Sequence, residues 1–302
     1  MSLLRLVCFA CIVVLCSAGS ARAAAGEADA VRLIIMADDL GAAEAVNSAT
    51  FAAHRDGVVT TSNLIVPGSW FPQAVRLAGE NPALELGIHL ALTSEWSDVK
   101  WRPLSAGRSF CDPDGYFAPF VWPNPKVAPG RSLRELKVDL AEAELELRAQ
   151  IDLARRHVPR VCYLWPHMGF TGHSPEMLAL VRKLAKEYDL PLFGDVMEAQ
   201  GIKRLKVAYD RYDTGEKKAA ALVQSIQALT PGTWVMVDHA ANDTSEMRAF
   251  GHVGYEKVAA DRDANRAMWM HPSVREAITR RAVALISTST VAGEWRAATN
   301  AR

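Results

Sequence analysis

The feature that most constrains the fold is a short apolar run that ends in two adjacent carboxylates. Residues 33–36 read Leu-Ile-Ile-Met without a polar interruption, and Asp38 and Asp39 follow one residue later. Such a run predicts a strand buried on both faces, as in a parallel sheet covered by helices. The carboxylates then lie at the carboxyl end of the strand, where the active sites of α/β proteins collect. Both are therefore candidate site residues; the alternative is that one caps the next helix and the other is solvated.

Residues 1–23 have the layout of a secretory signal peptide. Arg5 precedes an apolar core over residues 6–15, and Ala-Arg-Ala at 21–23 provides a cleavage site. We therefore expect an exported protein, periplasmic or secreted, with one mature domain over residues 24–302. The apolar core is shorter than a membrane span, so we expect no membrane anchor after cleavage.

Charge and cysteine content exclude several classes of function. Basic and acidic residues are equal in number, at 34 each, so neither a nucleic acid nor an anionic membrane is an expected partner. Only Cys111 and Cys162 lie outside the signal peptide. Two cysteines can form one disulfide, but they do not make a disulfide scaffold or a zinc cluster.

The remaining chain alternates between strand-like and helix-like segments. Strands are predicted at 33–36, 58–66, 84–92, 161–165, 191–194, 233–237 and 284–290, and helices at 43–55, 71–79, 132–157, 174–188, 214–229, 262–269 and 272–281. Ser132 and Glu135 match a capping box that opens the third helix. About seven strands alternating with helices favour a closed or nearly closed parallel barrel over a Rossmann sheet. No glycine-rich nucleotide or phosphate loop is present in the sequence.

Residues 93–131 lack helix and strand periodicity and interleave aromatic residues with prolines. This segment, here called the aromatic loop, includes Trp101 and Trp122. Aromatic faces stack on the C–H faces of sugar rings, so we predict that both tryptophans bind substrate; the alternative is that they anchor the loop to the core. His173, in the turn before the helix at 174–188, is a third candidate for substrate contact.

Histidines follow other predicted strands just as the carboxylates follow the first. His89, His167 and His239 each lie at or beside the end of a strand, so we expect them to meet Asp38 and Asp39 at one edge of the sheet. One carboxylate and two imidazoles leave open positions on Zn²⁺ or a similar divalent ion, as a hydrolytic site requires. A second carboxylate beside the ligand is then free to act as a general base.

These residues resemble those of the YdjC-like carbohydrate deacetylases, the family that includes chitooligosaccharide deacetylases. The resemblance rests on Met-Ala-Asp-Asp-Leu-Gly at 36–41, Gly-Val-Val-Thr-Thr-Ser at 57–62, Gly-Ile-His-Leu at 87–90 and the turn at His167. It implies a distorted (β/α) barrel of about seven parallel strands and metal-dependent removal of N-acetyl groups. By position it implies Asp39, His89 and His167 as ligands of one divalent ion, Zn²⁺ or Mg²⁺, and Asp38 as the base.

The chain departs from the family pattern in two places. The family commonly has Asp-Ser-His-x-His-x-His where this chain has Trp-Pro-His-Met-Gly at 165–169, so only the first of those histidines is clearly retained. A later His-Pro-Gly turn corresponds to His239-Ala240-Ala241. We predict that His239 is the acid that protonates the departing amine.

The prediction from the sequence is therefore an exported, metal-dependent deacetylase of an N-acetylated sugar or short glycan. Two alternatives stay open. One is an exported sugar-binding protein on the same barrel with little or no catalytic activity, and the other is a metal-dependent hydrolase of a different amide or ester.

Overall fold

A computed structural model describes residues 30–300 of the chain, so the predicted signal peptide lies outside the described residues. The strands are β1 Val31–Leu40, β2 Thr61–Leu64, β3 Glu85–Leu90, β4 Leu164–Pro166, β5 Lys203–Arg204, β6 Gly232–Asp238 and β7 Ala284–Leu285. The α-helices are α1 Glu44–Arg55, α2 Phe71–Glu80, α3 Leu140–His157, α4 Pro175–Glu187, α5 Phe193–Ala199, α6 Gly215–Gln227, α7 Val258–Met270, α8 Pro272–Arg280 and α9 Thr288–Asn300. Short 3₁₀ helices span Leu133–Glu135, His167–His173 and Met247–Ala249.

The strands form one parallel sheet in the order β4-β3-β2-β1-β6-β5, and β7 pairs with the beginning of β1. Strand β1 is central, and residues 33–37 on it are fully buried, as the continuous apolar run predicts. Helices lie between successive strands and cover the sheet. Beyond β4, Leu164 makes a single bridge to Leu192, and α5 begins at the next residue. The predicted distorted (β/α) barrel is therefore confirmed.

Three predicted elements begin or end elsewhere. The capping box does form, with Ser132 Oγ donating to Glu135 Oε2 at 2.6 Å, but it closes only a 3₁₀ turn. Helix α3 begins eight residues later, where the carboxylate of Asp139 accepts from the backbone N–H groups of residues 141 and 142. In the segment 191–194 only Leu192 forms a β-bridge, and α5 begins at Phe193, so the predicted strand is replaced by a single bridge and the start of a helix. The predicted last strand at 284–290 is two residues long and leads into α9.

The aromatic loop is packed against the barrel. Trp96, Trp101, Phe110 and Phe117 are all buried, and the rings of Phe110 and Phe117 stack at a centroid distance of 5.9 Å. Much of the loop therefore belongs to the hydrophobic core. Cys111 and Cys162 are both free thiols. Among the described residues, no helix combines the length and apolar character that a membrane crossing needs.

Candidate active site

A local irregularity in β1 turns two consecutive carboxylates toward one site. In a regular strand Asp38 and Asp39 would point to opposite faces. The register of β1 on β2 shifts between Ala37 and Leu40, and Asp39 has a φ of 70°, in the left-handed region that aspartate tolerates better than most residues. As a result, Nε2 of His89 lies 3.8 Å from Asp38 Oδ2 and 3.5 Å from Asp39 Oδ1.

The alternative that these aspartates serve as a cap and a solvated side chain is wrong. Asp38 is 5% exposed and Asp39 is fully buried. The N-cap position of α1 is Ala43, and the side chain that accepts from its first turn is that of Glu246, at 3.5 Å from the backbone nitrogen of Ala45. The chain therefore buries two adjacent carboxylates at the end of its central strand, which is costly unless cations or donors face them.

Three potential metal ligands form a nearly equilateral triangle. Asp39 Oδ1 is 3.5 Å from His89 Nε2 and 3.5 Å from His167 Nδ1, and the two ring nitrogens are 3.3 Å apart. Ligand atoms about 2.0–2.1 Å from a tetrahedral zinc ion lie roughly 3.4 Å from one another. Within residues 30–300, neither oxygen of Asp39 accepts a hydrogen bond of good geometry. The spacing, the donor types and this unsatisfied carboxylate all fit a divalent ion held by Asp39, His89 and His167.

The outer ring nitrogens of both histidines are engaged, which fixes the ring orientations. Nδ1 of His89 lies 3.0 Å from the carbonyl oxygen of Trp165, and Nε2 of His167 lies 3.0 Å from Oε2 of Glu95. Hydrogen bonds of this kind orient histidine ligands in metal sites and raise their basicity. Burial lowers the pKa of His167, but Glu95 and Asp39 outweigh it and raise that pKa to about 10 in the metal-free protein.

Asp38 is held by two neutral donors. Asn63 Nδ2, from β2, donates to Oδ1 of Asp38, and Nε1 of Trp165 donates to Oδ2 at 3.2 Å. Asn63 is fully buried, so its amide is a fixed part of the site. These contacts orient the Asp38 carboxylate beside the metal-ligand triangle without making it part of the triangle.

Arg262, on α7, is the cation that balances Asp39. Its Nη2 lies 2.8 Å from Oδ2 of Asp39, and its side chain is 3% exposed. Burial alone would raise the pKa of Asp39, but Arg262 and then His239 hold that pKa well below its usual value. The guanidinium carbon also lies 5.0 Å above the ring of Trp96. Oδ2 therefore faces a permanent cation, while Oδ1 faces the two histidines.

His239 enters the same site from the end of β6. Its Nε2 is 3.7 Å from Asp39 Oδ2, and its Nδ1 is 3.6 Å from Asp238 Oδ1. Burial and Arg262 lower the pKa of His239, but the carboxylates of Asp39, Asp238 and Asp38 outweigh them and raise it. The geometry thus favours a protonated imidazole at this position.

A buried polar network supports Asp238 from behind. Tyr209 donates its hydroxyl proton to Oδ2 of Asp238 at 2.5 Å, and Nδ2 of Asn265 donates to Oδ1 at 2.9 Å. The ammonium of Lys218, which is fully buried, donates to Oδ1 of Asn265 at 2.8 Å. Because lysine can only donate, it fixes the amide of Asn265 with its nitrogen toward Asp238.

A cavity of about 610 Å³ opens onto these residues. Its walls include Asp38, His89, His167, His239 and Arg262, and they extend to Arg204 and Asp195. The structure therefore brings together all five of the strand-end residues that the sequence singled out, with Asp39 directly behind the wall.

The three predicted substrate-binding residues lie outside the wall of this cavity. Trp101 is 1% exposed and packs on the ring of His167 at a centroid distance of 5.6 Å, so it supports that ring from behind. Trp122 is 51% exposed, with the guanidinium carbon of Arg134 5.4 Å from its ring. His173 is half-buried, and its Nε2 lies 3.1 Å from the carbonyl oxygen of Leu133. A role of Trp122 or His173 in binding a longer glycan stays a prediction.

Several residues of the site were missed from the sequence. Glu95 lies just beyond β3 and Arg262 lies on a helix, so neither carries the strand-end signal. His252 follows no predicted strand, yet it lines the cavity beside Trp96 and Tyr255. Glu95 lies six residues after His89, and this closeness in the chain to a candidate ligand is the signal in the sequence that points to it.

Comparison with known proteins agrees with this architecture. The model of the family described as YdjC-like protein matches residues 32–280. A carbohydrate deacetylase from Thermus thermophilus is 31% identical over 265 residues, which are 82% of this chain and 89% of that protein. A carbohydrate deacetylase from Vibrio parahaemolyticus is 24% identical over 271 residues, which are 87% of this chain and 100% of that protein.

Among solved structures, one from Enterococcus faecalis has the same fold. It is described as a cellobiose-phosphate cleavage protein, and it superimposes with a TM-score of 0.68 at 24% identity, over 87% of this chain and 99% of that chain. The match of the family model over most of the chain, together with the identity to the Thermus thermophilus protein, establishes that this chain belongs to the YdjC-like protein family.

Proposed function

We propose that the protein is a metal-dependent carbohydrate deacetylase that hydrolyses the N-acetyl group of an amino sugar or short glycan. The observation that carries the proposal is the triangle of Asp39, His89 and His167, with Asp38 beside it at the wall of a cavity large enough for a sugar. The names of the similar proteins from Thermus thermophilus and Vibrio parahaemolyticus supply the substrate class.

The donor set favours zinc over magnesium. Two imidazoles and one carboxylate are typical of zinc, whereas magnesium prefers oxygen ligands and retains several waters. When bound, the ion would supply Lewis-acid chemistry, by which it polarises an acetamide carbonyl and acidifies a water molecule.

Asp38 is the proposed general base. Its carboxylate is next to the ligand triangle, and Asn63 and Trp165 hold it in one orientation. A carboxylate fixed in this way takes the proton of the attacking water without first reorganising. Because it is not needed as a ligand, its removal is expected to affect the rate and to leave the ion in place.

His239 is the proposed general acid. It lies on the opposite side of Asp39 from the two ligating histidines, and its raised pKa keeps the imidazolium form available. Asp238, held by Tyr209 and Asn265, orients the ring through Nδ1. The imidazolium donates its proton to the nitrogen of the departing amine, which is a poor leaving group until it is protonated.

We also propose that the protein is exported, on the basis of the signal-peptide pattern in residues 1–23. Recovery of the protein from the periplasm or medium with a new N-terminus near residue 24 is the expected result. Retention in the cytoplasm with an intact N-terminus would contradict export and leave the chemistry untouched.

The activity is tested by measuring acetate release from a series of N-acetylated mono- and oligosaccharides, with and without a chelator. If the protein is a metal-dependent deacetylase, acetate release should stop when the chelator is added and return when zinc is added. Sugar binding without acetate release would indicate a binding protein. Chelator-sensitive hydrolysis of other amides or esters, with no N-acetyl sugar accepted, would indicate a hydrolase of another class.

A further inference from the structure

A second cavity, of about 310 Å³, adjoins the active-site cavity. The two share Glu95, Trp96 and His252 as lining residues. The rest of the second cavity is formed mainly by the aromatic loop, including Lys100, Phe120 and Arg131. The proposed activity assigns this cavity no role, although Glu95 joins it to the metal-ligand triangle through His167.

Two cations, Lys100 and Arg131, line the second cavity. Neither Lys100 nor Arg131 forms a salt bridge within the described part of the chain. Lys100 donates to the backbone carbonyl of Ser94 at 2.6 Å, and Arg131 makes no side-chain hydrogen bond among residues 30–300. Both side chains are half-buried. Burial, reinforced by Arg131, lowers the pKa of Lys100 against the opposing effects of Asp112 and Glu95. An anion in the cavity would relieve this repulsion between the two cations.

The charges around the cavity favour a singly charged ligand. Lys100 and Arg131 contribute two positive charges, and the Glu95 carboxylate on the shared wall contributes one negative charge. The three groups together carry one net positive charge. A monoanion would balance that charge, whereas a dianion would exceed it and be repelled by the Glu95 carboxylate. An arginine fork also matches a carboxylate by two parallel hydrogen bonds.

Aromatic rings form the apolar side of the second cavity. The ring of His252 packs edge-on against Phe120 at 5.4 Å and lies 5.9 Å from the ring of Trp96. Trp96 and Phe120 are buried, so the half-buried ring of His252 is the one of these three that offers a face to a ligand. An acidic sugar fits an aromatic face beside two cations, because its ring has C–H faces and its substituent carries the charge.

We propose that the second cavity is a subsite for the carboxylate of an acidic sugar residue next to the N-acetylated one, with Lys100 and Arg131 as its anion-binding groups. The substrate class is then an N-acetylated glycan that contains uronic acid or a similar carboxylated sugar. This inference rests on the proposed deacetylase function for its biological meaning, but the binding event can be measured without catalysis.

The test uses a hyaluronan tetrasaccharide, in which N-acetylglucosamine alternates with glucuronic acid, and the same compound with its carboxylates reduced to alcohols. Full-length Asp38→Asn protein is titrated with each compound by calorimetry. The charged compound is expected to bind about tenfold or more tightly than the reduced one, and to lose this advantage at high salt.

Lys100→Met and Arg131→Met, made in the same background, are each expected to lower the ratio of the two affinities by about tenfold. Lys137→Met is the matched control, because Lys137 is exposed, forms no salt bridge among the described residues and lies outside the cavity. The Lys137→Met variant should show the same ratio of affinities for the charged and reduced compounds as the Asp38→Asn protein does.

Equal affinities for the charged and reduced compounds would overturn the subsite, as would a ratio that survives both methionine variants. A preference for a phosphorylated N-acetyl sugar over the carboxylated one would overturn the choice of a monoanion. The deacetylase proposal fails separately, if wild-type protein binds these compounds but releases no acetate from any N-acetyl sugar.

Discussion

The carboxylate of Glu95 lies 3.0 Å from Nε2 of His167, and both side chains are almost completely buried. Because this contact engages Nε2, the other ring nitrogen of His167 faces Asp39 and His89. Glu95 therefore determines which nitrogen of His167 is available to an ion. It also lies where the two cavities meet, so it connects the ligand geometry with the aromatic loop.

Replacing Glu95 should weaken metal binding without removing any ligand. Glu95→Ala is expected to lower zinc affinity by about 10- to 100-fold, since His167 loses the partner that orients it and raises its basicity. Glu95→Gln should lower it less, because the amide oxygen still accepts from Nε2. Competition with a chromogenic chelator measures the affinity, and Glu276→Gln on the surface is the control. If folded Glu95→Ala protein binds zinc as tightly as the wild type does, Glu95 does not support metal binding.

Metal binding should release about one proton near neutral pH. The pKa of His167 is raised to about 10 in the metal-free protein, so its imidazole is charged at pH 7 and must become neutral to bind an ion. Zinc affinity should accordingly rise with pH and level off near that pKa. Calorimetry in buffers of different ionisation enthalpy measures the released proton. Heats that do not depend on the buffer would show that His167 is already neutral.

The Asp38→Asn variant should show whether Asp38 is a general base or a metal ligand. Asparagine keeps the size of the side chain but cannot take a proton, so we expect zinc content to stay at the wild-type level while kcat falls by about 10² to 10⁴-fold. Metal analysis and acetate release on the same preparation give both quantities. Loss of zinc would make Asp38 a ligand, and a rate within a few-fold of wild type would exclude it as the base.

Trp101 and Trp122 should respond differently to truncation. Trp101→Ala removes a fully buried ring behind His167 and is expected to lower the free energy of unfolding by about 3–5 kcal/mol. Trp122→Ala removes an exposed ring and should change stability little. If Trp122 binds longer glycans, KM for them rises while kcat stays nearly constant. An unchanged KM for longer glycans would make Trp122 only a partner of Arg134.

The strand-end residues could be predicted from the sequence because parallel strands deliver their carboxyl ends to one edge of the sheet. Asp39, His89 and His167 are far apart in the chain, yet each lies at or just beyond the carboxyl end of a strand, and this shared position brings them together. Glu95 and Arg262 could not be found in the same way. One lies in a loop and the other on a helix, and only the packed structure turns them toward His167 and Asp39.

The errors in the fold have similar causes. Pro-Leu-Phe-Gly at 191–194 is a short apolar run that fits a strand and a buried helix equally well, and contacts beyond the segment decide between them. Composition alone does not distinguish a ring that faces solvent from one that packs inward, so the sequence predicts substrate binding by Trp101 although its ring is buried.

The central claim is that Asp39, His89 and His167 hold the ion on which acetate release depends. The most direct measurement adds zinc to metal-free protein and follows acetate release from an N-acetylated oligosaccharide. Wild-type protein should gain activity up to one equivalent of zinc, and the alanine variants of the three ligands should bind little zinc and stay inactive. The control is His54→Ala, which should behave as wild type because the ring of His54 lies outside the site and contacts the backbone carbonyl of Val59. Full acetate release without metal, or wild-type zinc stoichiometry in all three variants, would contradict the account.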